Sequence, residues 1–210
     1  AIYSVPADYQ QGENFRILYI HVPAAWMSLF IFVVMAIQAF IALVWRIKAC
    51  EILAMSCAPI GAAFTLITLV TGSIWGKPTW GTWWTWDARL TSELILLFLY
   101  LGYIALVTSI DDMVRGDKAG ALLAIVGSVN VPIIYFSVRW WNTLHQGATV
   151  SLTAAPKMAQ TMLLAMLLMT FAFWAYAFAV VFTRAQALAL ERDRDAAWVR
   201  QLSQASREPR

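Results

Sequence analysis

The sequence predicts an all-α integral membrane protein with five transmembrane helices. Of its 210 residues, 61% are hydrophobic and only 13% are charged, and the mean hydropathy is +0.66. An ordinary soluble domain has roughly 45 to 50% apolar and about 25% charged residues. A soluble globular fold is therefore excluded. Because the sequence has no internal repeat and no low-complexity linker, we expect one domain.

Five apolar stretches reach the length of about 20 residues that a helix needs to cross a bilayer. The breaks between them are short and contain turn-forming or charged residues. The predicted spans cover residues 17–45, 52–75, 90–110, 119–138 and 158–183. We therefore expect one transmembrane domain over 1–183 and a polar tail over 184–210. The tail is interpreted as a solvated helical extension, with a docking surface for a cytoplasmic partner as the alternative.

The positive charges are divided unevenly between the two membrane faces. Ten of the fifteen Lys and Arg residues fall on one face, which the positive-inside rule makes cytoplasmic. Five spans then place the N-terminus outside, and the sequence begins without an initiator Met, so we expect one further helix upstream in a six-span parent. The ten residues are Arg46, Lys48, Arg115, Lys118, Arg184, Arg192, Arg194, Arg200, Arg207 and Arg210.

Other classes of protein are poorly supported. The net charge is only +3 and no block of basic residues is dense enough to follow a phosphate backbone, so nucleic acid is not an expected partner. Cys50 and Cys57 are the only cysteines and form neither CxxC nor CxxCH, so a disulfide framework, a cysteine metal site and a thioether-attached haem are not expected.

Tryptophan is concentrated at the predicted outer face. Seven of the eleven tryptophans lie there: Trp75, Trp80, Trp83, Trp84 and Trp86 in the segment WGKPTWGTWWTWD, and Trp140 and Trp141 in the next outer loop. Gly76, Pro78 and Gly81 predict that this segment is an irregular loop rather than a continuous helix. Such a loop is suited to stacking on a large flat ligand. The alternative is an elaborate aromatic belt that anchors the helix ends.

Both histidines of the chain, His21 and His145, also fall on the outer side. Neutral imidazoles are natural axial ligands of haem iron, and two of them can fill both axial positions. The alternative is that each is an ordinary hydrogen-bonded surface residue. Haem propionates need cations. Those on the correct side are Arg16, Arg89, Arg139 and Lys77, although each is also a normal snorkelling residue.

Three polar groups lie in or near the predicted spans. Asp87 is expected to be the N-cap of the third span. Glu93 lies deeper and is expected to pair with Arg89 four residues earlier. Asn130 and Pro132 predict a kink in the fourth span, which helix packing explains as well as function does.

Three segments resemble a known family. WGTWWTWDARLTSELILLFLYLGYIAL resembles the tryptophan-rich WWD signature of membrane haem-handling proteins, and YIHVPAAWMS and VRWWNTLHQGAT resemble the histidine segments that flank it. Among these proteins the chain is similar to the CcmC family of the bacterial cytochrome c maturation system. The likeness runs from about residue 7 to about residue 149 and fades in the tail. The family has six spans, so the chain departs from its pattern by lacking the first.

The resemblance implies a haem-handling domain in the bacterial inner membrane, with its site facing the periplasm and its C-terminus in the cytoplasm. It implies that haem b lies along the tryptophan loop and Asp87, with His21 and His145 as axial ligands, and is passed to the haem chaperone CcmE. CcmD and the ABC transporter subunits CcmA and CcmB are the other implied partners. No GxxxxGK[ST] motif occurs, so an ATP-driven step would belong to a partner. No independent enzyme activity is expected, and a role in assisting covalent attachment of haem to CcmE stays open.

Two other functions stay open at this point. A b-type cytochrome subunit that exchanges electrons with quinone would usually bury its histidine pair within the spans, whereas these histidines lie at the outer edge. A transporter permease would be expected to have internal repeats or charged residues near the middle of the bilayer. Only Glu93 and Asn130 approach that position.

Overall fold

The structure is a computed structural model that describes residues 2–3, 5–145, 150, 155–156 and 158–199. A short 3-10 helix, Glu13–Ile17, leads directly into the first of six α-helices. They are α1 (Leu18–Trp45), α2 (Lys48–Trp80), α3 (Ala88–Ser109), α4 (Met113–Gly127), α5 (Asn130–Trp140) and α6 (Gln160–Arg192). Within the described ranges no β-strand is formed. The predicted all-α fold is confirmed.

Five helical segments are long and apolar enough to cross a membrane, as predicted. They are Glu13–Trp45, Lys48–Trp80, Ala88–Ser109, Met113–Trp140 and Gln160–Arg192. Most extend a few residues beyond the predicted bounds, since polar and tryptophan residues at a membrane interface are compatible with a helical backbone. The chain is therefore an all-α integral membrane protein.

The end of α2 corrects one prediction. The helix continues through Gly76 and Pro78 to Trp80, so the irregular segment is limited to residues 81–87. Proline removes only one backbone donor, and transmembrane helices tolerate it where the rest of the turn is bonded. The helix ends at Gly81, whose φ of +78° is left-handed and whose N–H donates to the carbonyl of Lys77 at 3.0 Å.

The predicted interruption of the fourth span is confirmed. α4 ends at Gly127 and α5 begins at Asn130, with a two-residue turn between them. Pro132 has no N–H to continue the bonding pattern, and the carbonyl of Ser128 instead accepts from Val131 at 3.1 Å. The Asn130 side chain donates to the carbonyl of Ser92 on α3 at 2.9 Å. This bond ties the interruption to the neighbouring helix.

The core lies where α1, α2 and α3 meet. Phe32, Met35 and Leu96 are fully buried there, and the ring of Tyr100 packs edge-on against Phe32 with centroids 4.9 Å apart. Gly61 on α2 makes this packing possible, because a Cβ atom there would lie 2.1 Å from Cζ of Tyr100. Close helix approach at a small residue is typical of membrane bundles.

The predicted ion pair between Glu93 and Arg89 is not formed. Glu93 is 5% exposed and its carboxyl lies 2.8 Å from the hydroxyl of Ser28 on α1, whereas Arg89 donates to the carbonyl of Ile134 on α5 at 3.1 Å. The two side chains diverge because each finds a partner on a different neighbouring helix. The hydroxyl of Tyr100 donates to the main-chain carbonyl of Ser28 at 2.8 Å and completes this buried polar group.

An ion network lies at one end of the bundle, where α2 and α4 begin and α6 ends. We call this the arginine end. The Arg192 side chain is 8% exposed and donates to Asp117 on α4 at 2.7 Å, and it lies 3.6 Å from Glu51 on α2. Lys48 pairs with Asp193. The helical extension exists as far as Arg192, and five of its nine residues from 184 to 192 are exposed. Its last residue, Arg192, is packed on the bundle. Lys157 and residues 200–210 lie outside the described residues.

Candidate functional site

The sequence-predicted site residues gather at one end of the bundle, which we call the histidine end. It comprises the start of α1, the end of α2, residues 81–87, the start of α3 and residues 141–145. The chain brings these segments together because α1 and α2 are antiparallel neighbours and a loop of only seven residues joins α2 to α3. His21 and His145, 124 positions apart in sequence, interact electrostatically there.

His21 lies one turn into α1 and is held by the last turns of α2. Its Nδ1 is 3.1 Å from the hydroxyl of Thr71, which itself donates to the carbonyl of Ile67 at 2.6 Å. Since that hydroxyl hydrogen is already used, the oxygen accepts from Nδ1–H. The backbone carbonyl of Thr68 is a further acceptor for the ring. With Nδ1 as the donor, Nε2 carries the lone pair.

The ring of His21 fits closely between two residues of α2. Trp75 packs edge-on against it with centroids 5.7 Å apart, and a Cβ atom on Gly72 would lie 3.0 Å from its Cε1. Trp75 is fixed in turn, because its indole N–H donates to the side chain of Gln11 at 2.8 Å. The N-terminal segment thus supports the position of this histidine.

His145 lies in the loop after α5 and is oriented by a carboxylate. Its Nδ1 is 3.3 Å from Oδ2 of Asp87, and its own backbone N–H is held by the hydroxyl of Thr143 at 3.2 Å. Trp80 packs edge-on against the ring with centroids 4.7 Å apart. Because a carboxylate can only accept, Nδ1 donates and Nε2 carries the lone pair.

The environment of His145 favours the neutral imidazole. Burial and the nearby guanidinium of Arg89 lower the pKa of His145 below its usual value of 6.5, although the Asp87 carboxylate raises it. The side chains are 18% exposed for His145 and 9% exposed for Asp87. A neutral imidazole with a free Nε2 is the form that binds a metal ion.

Asp87 uses both of its carboxylate oxygens. Oδ1 accepts from the backbone N–H of Leu90 at 2.8 Å, which confirms the predicted N-cap of α3. Oδ2 faces His145. One side chain therefore fixes both the start of a transmembrane helix and the orientation of an imidazole.

The seven predicted tryptophans fall into two groups. Trp75, Trp80 and Trp84 are partly buried, and the first two touch the histidines. The other four are exposed: Trp83 by 56%, Trp86 by 77%, Trp140 by 57% and Trp141 by 51%. Trp140 stacks on Phe136 with centroids 5.1 Å apart. The sequence predicted one aromatic surface, whereas in the structure three of its tryptophans are partly buried and four are exposed.

The predicted cations also differ in their surroundings. Arg16 is engaged by the N-terminal segment, since it donates to the carbonyls of Ile2 and Val5 and pairs with Glu13. Lys77 donates to the carbonyl of Gly81 at 3.1 Å, and Arg139 is exposed with its guanidinium 5.9 Å from the ring centroid of Phe136.

Arg89 is the cation most closely associated with the histidines. It is partly buried and interacts electrostatically with Asp87, His21 and His145. Its bond to α5 uses one of the five N–H donors of a guanidinium, and no other hydrogen bond to a described residue is made. Donors therefore remain for an anionic ligand.

Two buried polar atoms in the 81–87 loop have no partner in the described part of the chain. They are Nε1 of Trp84 and the hydroxyl of Thr85. Buried donors are normally paired, so unpaired ones point to a ligand or water. The imidazole nitrogens and the donors of Arg89 fit haem, which combines an iron centre, a flat apolar ring and two carboxylates.

Sequence reasoning missed Thr71 and Gly72, which position His21. Thr71 lies one helical turn before Trp75, so the two share a face of α2. Both residues lie within the predicted span 52–75, so this spacing could have identified Thr71 from the sequence. Thr85 carried no signal other than its place between two tryptophans.

Comparison with known proteins identifies the family of the chain. A profile of the CcmC family, described as heme exporter protein C, matches residues 1–200. The heme exporter protein C of Haemophilus influenzae is 50% identical over 199 residues, covering 95% of this chain and 81% of that protein. The heme exporter protein C of Escherichia coli strain K12 is 60% identical over 144 residues, covering 69% of this chain and 59% of that protein.

A plant relative extends the comparison beyond bacteria. The putative cytochrome c biosynthesis ccmC-like mitochondrial protein of Marchantia polymorpha is 50% identical over 151 residues, covering 72% of this chain and 64% of that protein. The chain thus spans between 59% and 81% of the lengths of these relatives. On the profile match and these identities, the chain belongs to the CcmC, or heme exporter protein C, family.

Proposed function

We propose that this chain holds haem b at the histidine end, with His21 and His145 as axial ligands, and delivers it to the haem chaperone CcmE for cytochrome c maturation. The observation that carries the proposal is that each imidazole has Nδ1 within hydrogen-bond distance of a side-chain oxygen, that of Thr71 or of Asp87, which leaves Nε2 as the nitrogen available to a metal. This is the arrangement by which proteins orient histidine for metal binding. The names of the relatives, which refer to heme export and cytochrome c biosynthesis, support haem as the cargo.

The tryptophans have two roles in this proposal. Trp75, Trp80 and Trp84 shape the wall beside the imidazoles, while the exposed indoles of Trp83 and Trp86 extend the apolar surface along the ring. Arg89, with the donors of Trp84 and Thr85, would hold carboxylates of the cargo, and Arg16 and Arg139 are further candidates at the same end. With imidazole nitrogens at both axial positions, the iron would have no open coordination position.

The orientation and the partners follow from the same proposal. The arginine end is cytoplasmic because it collects most of the Lys and Arg residues, so the histidine end faces the periplasm of a bacterial inner membrane. Transfer to CcmE takes place there. CcmD and the ABC transporter subunits CcmA and CcmB are the other proposed partners. Any ATP-driven step belongs to a partner, since this chain has no phosphate-binding loop motif.

The proposal is tested by replacing the ligands one at a time. The chain is purified with haem, and His21→Ala and His145→Ala are compared with Tyr9→Ala, whose side chain is 90% exposed at the same end. We expect the low-spin Soret and α/β bands to be lost in each histidine variant and kept in the control. A haem-stained gel of CcmE measures delivery. Unchanged Soret bands in both histidine variants would overturn the ligand assignment.

A further inference from the structure

We infer that Asp87 is a positioning residue that accepts hydrogen bonds from two groups at once, the backbone N–H of Leu90 and the imidazole of His145. It thereby makes His145 the firmly held haem ligand and His21 the exchangeable one. The inference rests on the proposed function. It assigns different tasks to two ligands that the sequence presents as equivalent.

The first support is that the position of Asp87 is fixed independently of any ligand. Its Oδ1 caps α3 through Leu90 at 2.8 Å, and α3 packs against α2, α4 and α5. The carboxylate is therefore anchored to the transmembrane bundle before it meets an imidazole. A ligand oriented by such an anchor loses little entropy when it binds iron.

The second support is that the orientation of His145 depends on this carboxylate. His145 follows α5 by five residues and lies outside any helix, so its backbone alone does not direct the ring. Asp87 and Trp80 are the described side chains that hold the ring. An anionic acceptor on Nδ1–H also makes Nε2 a stronger donor to a metal than a neutral acceptor does.

The environment of His21 is different in both respects. Its acceptors are both neutral: the hydroxyl of Thr71, which is itself bonded to a helix carbonyl, and the backbone carbonyl of Thr68. Its ring is placed by α1 and by contact with Gly72 and Trp75. His21 is thus well positioned but less strongly polarised. Outer-shell partners typically change metal affinity by about 10- to 100-fold, which is enough to set an order of release.

The consequence is a defined first step of transfer. An incoming neutral ligand replaces His21 while His145 stays bound: the bond from iron to Nε2 of His21 breaks, a bond to the incoming atom forms, and no electron or proton is exchanged. Nδ1 of His21 keeps its proton throughout, and this N–H stays hydrogen-bonded to the hydroxyl of Thr71. The cargo remains attached to the chain through His145 until the new ligand is in place.

Asp87→Asn is the most informative variant, because asparagine has one acceptor oxygen where aspartate has two. If the amide oxygen keeps the α3 cap, its NH₂ group faces Nδ1 of His145 and forces the imidazole into the tautomer whose Nε2 bears a proton. If the oxygen turns to His145, the cap is lost at a cost of about 1 kcal/mol. Asp87→Ser is the second variant, since serine caps a helix but is too short to reach the imidazole.

The test uses carbon monoxide on the reduced, haem-loaded full chain, because carbon monoxide replaces the weaker axial ligand and its vibrations report the ligand that remains. We expect Asp87→Asn and Asp87→Ser to shift the Fe–C and C–O stretching frequencies. Thr71→Val, the matched change at the other histidine, leaves them unchanged. Haem loss to excess apomyoglobin should be about tenfold faster in the Asp87 variants than in Thr71→Val.

The possible outcomes separate this inference from the proposed function. Frequencies that move only in Thr71→Val, that move in no variant, or that cannot be measured because carbon monoxide does not bind, overturn the inequality of the ligands and leave bis-histidine binding intact. A wild-type chain without a low-spin bis-histidine spectrum overturns both. Thermal unfolding of the apo variants confirms that α3 remains folded.

Discussion

Gly72→Ala tests whether packing against α2 positions His21, the proposed haem ligand. A Cβ atom at residue 72 would lie 3.0 Å from Cε1 of His21 and 3.5 Å from its Nδ1. Ordinary contact begins at 3.4 Å. The ring must therefore retreat from α2 by about 0.4 Å, which lengthens the 3.1 Å bond to Thr71 to about 3.5 Å, beyond the normal range of such a bond.

The expected effect is on haem retention rather than on folding. Losing an outer-shell partner of a metal ligand costs about tenfold in affinity or more, so we expect haem to leave Gly72→Ala about tenfold faster than wild type. Alanine is a better helix former than glycine by roughly 0.5 to 1 kcal/mol, so the unfolding temperature of the apo protein should not fall. The assay is transfer of haem to excess apomyoglobin, followed by its Soret band.

The matched control is Gly102→Ala on α3. Its Cβ would lie 3.3 Å from Cδ2 of Leu123, the end of a flexible side chain that can rotate away. We expect haem retention in Gly102→Ala to equal that of wild type. If Gly72→Ala retains haem as well as Gly102→Ala does, the contact between residue 72 and His21 does not position a ligand, and the reasoning is refuted.

Three further substitutions test the core, the arginine end and the aromatic wall. Tyr100→Phe removes a buried hydrogen bond to α1 and should lower the free energy of unfolding by about 1 kcal/mol. Arg192→Gln leaves the buried carboxylate of Asp117 without its cation and should destabilise the protein by about 3 kcal/mol. Trp84→Phe removes an unpaired buried indole N–H and should weaken haem retention about fivefold, whereas Trp83→Phe, at a 56% exposed position, should not.

Each of these predictions has its own control. Thermal unfolding in detergent compares Tyr100→Phe with Tyr135→Phe, at a 52% exposed position, and Arg192→Gln with Arg194→Gln, whose side chain is 80% exposed. Equal stability within either pair contradicts the corresponding structural role. Equal haem retention in Trp84→Phe and Trp83→Phe would show that the unpaired indole does not contact the cargo.

The number and order of the spans could be predicted because they depend on the hydropathy averaged over long segments. Twenty apolar residues in a row specify a transmembrane helix almost regardless of their order. The ends could not be predicted equally well. Pro78 and Gly76 are helix breakers in local propensity, yet α2 passes through both, since the hydrogen bonds of the last turn and the left-handed Gly81 close the helix at Trp80.

The polar contacts show a second limit of sequence reasoning. The spacing of Arg89 and Glu93 is ideal for a pair on an isolated helix. In the bundle, however, each side chain is nearer to an acceptor or a hydroxyl on another helix, and tertiary bonds replace the local one. In contrast, the cap at Asp87 is a local interaction and was predicted correctly. Local rules therefore held at the helix terminus and failed in the helix interior.

The tryptophans show both what the sequence could predict and what it could not. Their positions at the ends of the predicted spans were sufficient to assign seven of them to one end of the bundle, where an indole is favoured at the interface. These positions could not separate those beside the histidines from those that face outward, because that depends on rotation about the helix axis and on the course of residues 81–87. Trp80 and Trp83 are three positions apart, yet one touches His145 and the other is 56% exposed. The left-handed turn at Gly81 lies between them and changes the direction of the chain, so the division of the aromatic surface depends on a glycine rather than on the tryptophans themselves.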